Sequence, residues 1–207
     1  MQAVLLIDIQ HDFLEGGALA VPDANAVVPV AEKLMQRFDL IFATQDWHPH
    51  NHGSFASQHV DRNMFEVIDL HGLPQVLWPD HCVQGTLGAQ FHPALPMEKC
   101  TAIVQKGTDI TVDSYSGFAD NGKKIQTELH RILQAHAVKT LYVCGLATDY
   151  CVQFTVLDAL ELGYTVYLVL DGCRGVNQHP HDSEKAIERM EQAGALLISS
   201  VDVPKHN

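Results

Sequence analysis

A thiol, a carboxylate and an ammonium brought together can run nucleophilic catalysis, and a carboxylate two residues from an imidazole can chelate a metal. This sequence holds both sets, each placed where an apolar run ends. Asp8 closes the first run, Asp46-Trp47-His48 follows the second and Lys106 the third. Cys151 lies in Gly145-Leu146-Ala147-Thr148-Asp149-Tyr150-Cys151 after the fourth. If the runs are parallel strands of one sheet, all four sites share its carboxyl edge, where open α/β proteins place their ligands. Cys151 then falls in the first turn of a predicted helix, whose unpaired N–H groups and dipole favour a thiolate and could hold an oxyanion. Asp8 supplies a proton acceptor and Lys106 a stabilising charge. Taken singly, each has a plainer alternative: a buried small hydrophobe for the cysteine, a turn residue for the aspartate, a surface charge for the lysine. That plainer reading is kept for Cys100, Cys144 and Cys173.

Side chains alternate along an extended segment, so Asp46 and His48 point to the same side. With the more distant His81 they make a set of one carboxylate and two imidazoles, which suits zinc, iron or manganese with positions left open. His52 either ligates or orients a ligand as a partner behind it. The chain has 13 histidines, so chance clustering accounts for His50, His59, His71, His179 and His181.

The elements that must position these groups follow from the apolar pattern. Strand-length runs cover Ala3 to Ile7, Leu40 to Ala43, Ala102 to Val104, Thr140 to Cys144, Val166 to Leu170 and Ala195 to Ile198. Helical patterns lie between them. One is opened by Asp23 as N-cap and reaches about Phe38; another runs from Asn121-Gly122 to about Ala137. A third runs from Thr148 or Asp149 to Leu162, and a fourth from Asp182 or Ser183 to Ala193. This alternation predicts a mainly parallel sheet with helices on both faces and right-handed crossovers. From about residue 46 to 97 the chain is rich in His, Pro, Gly and Asp without helical period. A long irregular stretch that carries Phe55, Phe65, Trp78 and Phe91 predicts a functional insertion in an ordered state.

At 207 residues the expectation is a single domain over 1–207 with a full core. The net charge of −12 argues against nucleic acid and against an anionic membrane surface as partners. Five scattered cysteines without a Cys-x-x-Cys pair argue against a disulfide framework or zinc ribbon. An apolar strand directly after Met1-Gln2-Ala3 predicts a cytoplasmic protein.

Several segments jointly resemble the nicotinamidase/pyrazinamidase group of the isochorismatase-like hydrolases, end to end. They are Asp8-Ile9-Gln10-His11-Asp12-Phe13, Thr44-Gln45-Asp46-Trp47-His48, His52-Gly53-Ser54-Phe55, Trp78-Pro79-Asp80-His81-Cys82-Val83-Gln84-Gly85-Thr86, Lys106-Gly107, Tyr115-Ser116-Gly117-Phe118 and Gly145 to Cys151. The resemblance implies a three-layer αβα sandwich with a six-stranded, mainly parallel, Rossmann-like sheet in the order 3-2-1-4-5-6. It implies a catalytic triad of Asp8, Lys106 and Cys151, and an oxyanion hole from the N–H groups of Ala147 and Cys151 beside a cis peptide between Leu146 and Ala147. Phe13 and Trp78 would wall the ring. Asp46, His48 and His81 would hold one divalent metal, zinc by default and iron or manganese as alternatives, with His52 or Ser54 as a further ligand. The implied reaction is deamidation of nicotinamide to nicotinate and ammonia through a cysteine thioester, with pyrazinamide as a second substrate, in NAD salvage. Self-association into a homo-oligomer stays open. Two rivals differ in outcome: a related cysteine amidohydrolase acting on N-carbamoyl or ureido compounds, and a metal- or nicotinamide-binding module without turnover.

Overall fold

The computed structural model describes residues 1–204. The first strand, β1 (Gln2–Ile7), is apolar on both faces because both are covered, and Ala3 to Ile7 are each at most 1% exposed. Burying a Leu or Ile side chain contributes about 1.5–3 kcal/mol, so this strand is a large part of what holds the sheet together. Five more strands join it: β2 (Ile41–Asp46), β5 (Ala102–Lys106), β6 (Thr140–Leu146), β7 (Thr165–Arg174) and β8 (Leu196–Ile198). Their order is β5-β2-β1-β6-β7-β8, and every pairing is parallel. Counted along the chain within this sheet, that is 3-2-1-4-5-6. The order reverses between β1 and β6, which places a crevice above Ile7, Thr44 and Gly145, neighbours in register.

Helix α1 (Val27–Met35) covers one face, where Val30 packs over Gly172 and Cys144. Helices α2 (Leu129–Ala135) and α3 (Gln153–Glu161) cover the other, with Leu129 and Thr155 against Gly117 and Thr44, and α4 (Asp182–Gln192) packs beside α3. β2, β5, β6 and β7 extend two to four residues past their apolar runs, so Asp46 and Lys106 are the last residues of β2 and β5 and pair directly across the ladder.

Three local expectations give way. Asp23 does not cap a helix; it sits at φ 58° with no capping bond, and its carboxylate instead accepts from Arg174 Nε at 3.0 Å. The helix expected from Asn121 starts only at Leu129, because the Asp120 carboxylate takes the Lys124 and Ile125 N–H groups and an Ala119–Gln126 bridge closes a tight loop. Thr148–Val152 form one wide π-helical turn, and α3 proper begins after it. The 46–97 stretch contains an antiparallel hairpin, β3 (Val67–Leu70) and β4 (Leu73–Val76), between irregular segments.

Candidate active site

Lys106 ends β5 with its ammonium fully buried. It donates to Asp46 Oδ1 at 2.9 Å, to the Ser114 carbonyl at 2.9 Å and to Cys151 Sγ at 3.3 Å, and Asp8 Oδ2 lies 2.9 Å away. An ammonium has three N–H donors. Four acceptors share those three, and Asp8 Oδ2 is held to Lys106 by charge and hydrogen bonding together. Asp8 itself stands at φ 47° just past β1, where Thr44 Oγ1 donates to its Oδ1 at 2.7 Å. The Cys151 thiol is within hydrogen-bonding reach of the Asp8 carboxylate.

Burial pushes the Cys151 thiol well above its ordinary value; the Lys106 charge opposes this, and Asp8 and Asp46 add to it. That direction favours the thiol, against the thiolate expected from a helix N-terminus. Burial also raises the Asp8 carboxyl, with Lys106 pulling the other way. A raised acid beside a thiol is suited to take the proton as attack proceeds. The backbone on the other side of Cys151 is the Leu146–Ala147 bond, which is cis.

Asp46, His48 and His81 are all buried, and one ligand atom from each falls within 4.8 Å of the others. His48 Nδ1 donates to the Gly107 carbonyl and His81 Nδ1 to the Pro79 carbonyl, each at 2.8 Å. A carbonyl only accepts, so these bonds place the proton on Nδ1 and leave both Nε2 lone pairs facing Asp46 Oδ2, at 3.1 and 3.5 Å. Three converging acceptors call for a cation. At His48, burial lowers the pKa, but the Asp46 charge, the hydrogen bond to it and the Asp113 charge together lift the ring to about 9, so a proton and a metal cation compete for the same Nε2. Burial likewise works against the Asp46 carboxylate, yet His48 and Lys106 hold it well below the usual range. The donor set fits a divalent metal with open positions. Gly107 is required here: at φ 65°, a Cβ would stand 2.5 Å from the His48 ring.

His52 is fully buried and its ring lies 4.3 Å from that of His48. Its Nδ1 accepts the Ser54 N–H at 3.2 Å and contacts Ser54 Oγ at 2.7 Å, which puts the proton on Nε2. His52 and Ser54 thus engage each other, and His52 also forms a second group of potential ligand atoms with His48 and Asp113, all within 4.8 Å of one another.

The pocket between the two sets is lined by Phe13, Leu19, Asp46, Trp78, His81, Asp113, Tyr115, Ala147, Tyr150, Cys151 and Val176. It is small and narrow, with Cys151 and Asp46 in its lining and aromatic side chains around them. A larger cleft beside Phe118, His130 and Asp158 holds none of the groups singled out for chemistry. Phe13 meets the edge of His81 at 5.4 Å, and Trp78 meets Tyr150 edge-on at 4.8 Å. Sequence reasoning missed Asp113, Tyr115 and Tyr150. The last two lie inside segments already singled out, whereas Asp113 carries no signal. It lines the pocket itself, with its Oδ1 4.0 Å from His48 Nε2, and accepts the Ser114 N–H at 2.7 Å.

The isochorismatase domain model matches residues 2–202. The chain belongs to the isochorismatase family. Within that family it is 52% identical over 205 residues to the nicotinamidase of Escherichia coli, covering 97% of this chain and 96% of the relative. A yeast nicotinamidase bound to the inhibitor nicotinaldehyde superposes with a TM-score of 0.91 at 29% identity, covering 96% of this chain and all of that one. The pyrazinamidase of Pyrococcus horikoshii in complex with zinc gives 0.78 at 39% identity, covering 96% and 98%. Among the described residues no helix is long and apolar enough to cross a membrane.

Proposed function

We propose that this isochorismatase-family enzyme hydrolyses nicotinamide to nicotinate and ammonia in NAD salvage, and pyrazinamide alongside it. One observation carries the reading: a single buried ammonium touches the thiol, the acid and the metal-type carboxylate, with Cys151 and that carboxylate lining one small aromatic-walled pocket. The names of the relatives support the substrate. The domain is read as one unit with the 46–97 segment as its metal-binding insertion. Five free cysteines fit a reducing, cytoplasmic setting.

Cys151 Sγ attacks the carboxamide carbon as Asp8 takes the thiol proton. The carbonyl oxygen gathers negative charge, and the N–H groups of Ala147 and Cys151 are assigned to receive it. Lys106 offsets the charge on sulfur and on Asp8. Asp8 returns its proton to the nitrogen, the C–N bond breaks, and ammonia leaves a thioester. Asp8 then deprotonates water, which adds to the thioester carbon, and the C–S bond breaks to give nicotinate and the thiol. Phe13 and Trp78 hold the ring. Asp46, His48 and His81 would hold the metal, zinc by default with iron or manganese as alternatives, which when bound supplies a Lewis acid for the ring nitrogen.

The test is ammonia release from nicotinamide by the metal-loaded protein, with N-carbamoyl compounds in parallel. Release from nicotinamide that chelation abolishes bears the reading out. Release only from carbamoyl compounds would transfer the chain to the related amidohydrolases, and binding without release would make it a non-catalytic module.

A further inference from the structure

Asp149 lies two residues before Cys151 and touches none of the groups assigned to bond making, yet it is only 8% exposed. Its carboxylate is spent on a different segment. Oδ1 accepts the Val176 N–H at 2.9 Å and Oδ2 the Asn177 N–H at 2.7 Å. These are consecutive donors of the loop that leaves β7, and the loop is shaped to reach them. Asn177 bends at φ 51°, with its side chain accepting the Ser183 N–H and donating to the Gly175 carbonyl. Gly175 approaches so closely that a Cβ would stand 2.9 Å from Asp149 Oδ1 and 1.9 Å from Ser183 Oγ. The loop carries Val176, which lines the pocket with Cys151, and Gln178, which accepts the Tyr150 hydroxyl at 3.2 Å. The turn bearing the nucleophile and the wall facing it are thus one clamped unit.

We propose that Asp149 is a positioning residue that sets Val176 against the substrate ring, and through it the size of ring the pocket accepts. The inference rests on the amidase reading above. A carboxylate can accept two adjacent N–H bonds, whereas an asparagine offers one acceptor and turns an NH2 toward the second donor. Asp149→Asn therefore frees one of the two anchors while the Asp8, Lys106 and Cys151 contacts stay as they are.

The experiment measures ammonia release by Asp149→Asn and Val176→Ala against the unsubstituted chain, on nicotinamide and on ring-methylated nicotinamides, with metal content checked in each. Asp149→Asn should raise KM for nicotinamide about 10-fold with kcat within about threefold, the pattern of lost binding rather than lost chemistry. Both variants should narrow the preference for nicotinamide over the methylated amides by roughly 10-fold, the scale at which one methyl group is discriminated. A loss of kcat at unchanged KM in Asp149→Asn would overturn the proposal, since the carboxylate would then act through the nucleophile. Unaltered selectivity in Val176→Ala, which leaves the clamp intact and is readable even if Asp149→Asn does not fold, would overturn it as well. An unsubstituted chain that releases no ammonia from nicotinamide would fail the amidase reading and this inference together. Normal turnover with unchanged selectivity in the variants would fail this inference alone.

Discussion

Asp8 and Asp46 follow or end neighbouring strands, each 2.9 Å from the same ammonium, and they titrate in opposite directions. Burial raises both. Asp8 has only Lys106 and one Thr44 hydroxyl to offset it, and faces a neutral thiol. Asp46 adds the His48 charge and hydrogen bonds with His48 and His81 to the same lysine, and the balance reverses. The lesson is that the second neighbour decides the balance: a carboxylate that faces a neutral thiol beyond the lysine is raised, and one that faces two imidazoles beyond it is lowered.

Substitutions can break this contrast one side at a time. Removing the thiol should empty the Asp8 side alone: Cys151→Ala is expected to bring ammonia release down to the assay background while bound metal, measured by elemental analysis, stays at the unsubstituted level. Metal loss in this variant would mean the two sides are not separable. Lys106→Met strikes the link itself and leaves two buried carboxylates without their cation. It should cost about 3–5 kcal/mol in urea unfolding together with activity and metal affinity; stability equal to the unsubstituted chain would contradict the buried pairing. On the Asp46 side, His81→Ala should lower metal affinity by more than the roughly 10–100-fold that a partner behind the ligands commands. Excess metal should restore part of the turnover, and an unchanged metal content would remove His81 as a ligand.

The smallest effect sharpens the contrast instead of breaking it. If Asp8 is the base, kcat/KM is lost as pH falls through its pKa, which burial raises above the ordinary carboxylate value. The Thr44 hydroxyl stabilises the ionised form. Thr44→Val should therefore move the acid limb of the profile to higher pH at near-unchanged kcat on the plateau, and a stationary limb would detach Asp8 from the proton transfer.

Much of this centre was legible because strand ends are legible: Asp8, Asp46, Lys106 and the Gly145–Cys151 turn each follow an apolar run, and parallel pairing does the rest. The metal set was readable from the Asp46-x-His48 spacing, and the distant His81 was added because one carboxylate with two imidazoles suits a metal with open positions. What failed has local causes. Asp120 diverts two N–H groups from the helix expected at Asn121, and the Asp23 carboxylate prefers Arg174 to a cap. At Cys151 burial works against the expected thiolate and outweighs the pull of Lys106. Asp113 was invisible because it sits in the irregular segment between β5 and α2, away from the strand ends that the apolar runs mark.

The direct pairing of Asp46 with Lys106 across β2 and β5 also makes the enzyme its own check on assembly. β5 is an edge strand, joined to the sheet on one side only. A slip of one residue would turn every side chain on it to the opposite face, presenting Gln105 or Gly107 where the ammonium belongs. Such a misregistered chain could keep its helices and most of its core and still lose the thiol's counter-charge and the metal carboxylate's partner together. Turnover per folded molecule would then report how faithfully the outermost strand had docked, a form of proofreading that spectroscopic measures of folding would miss.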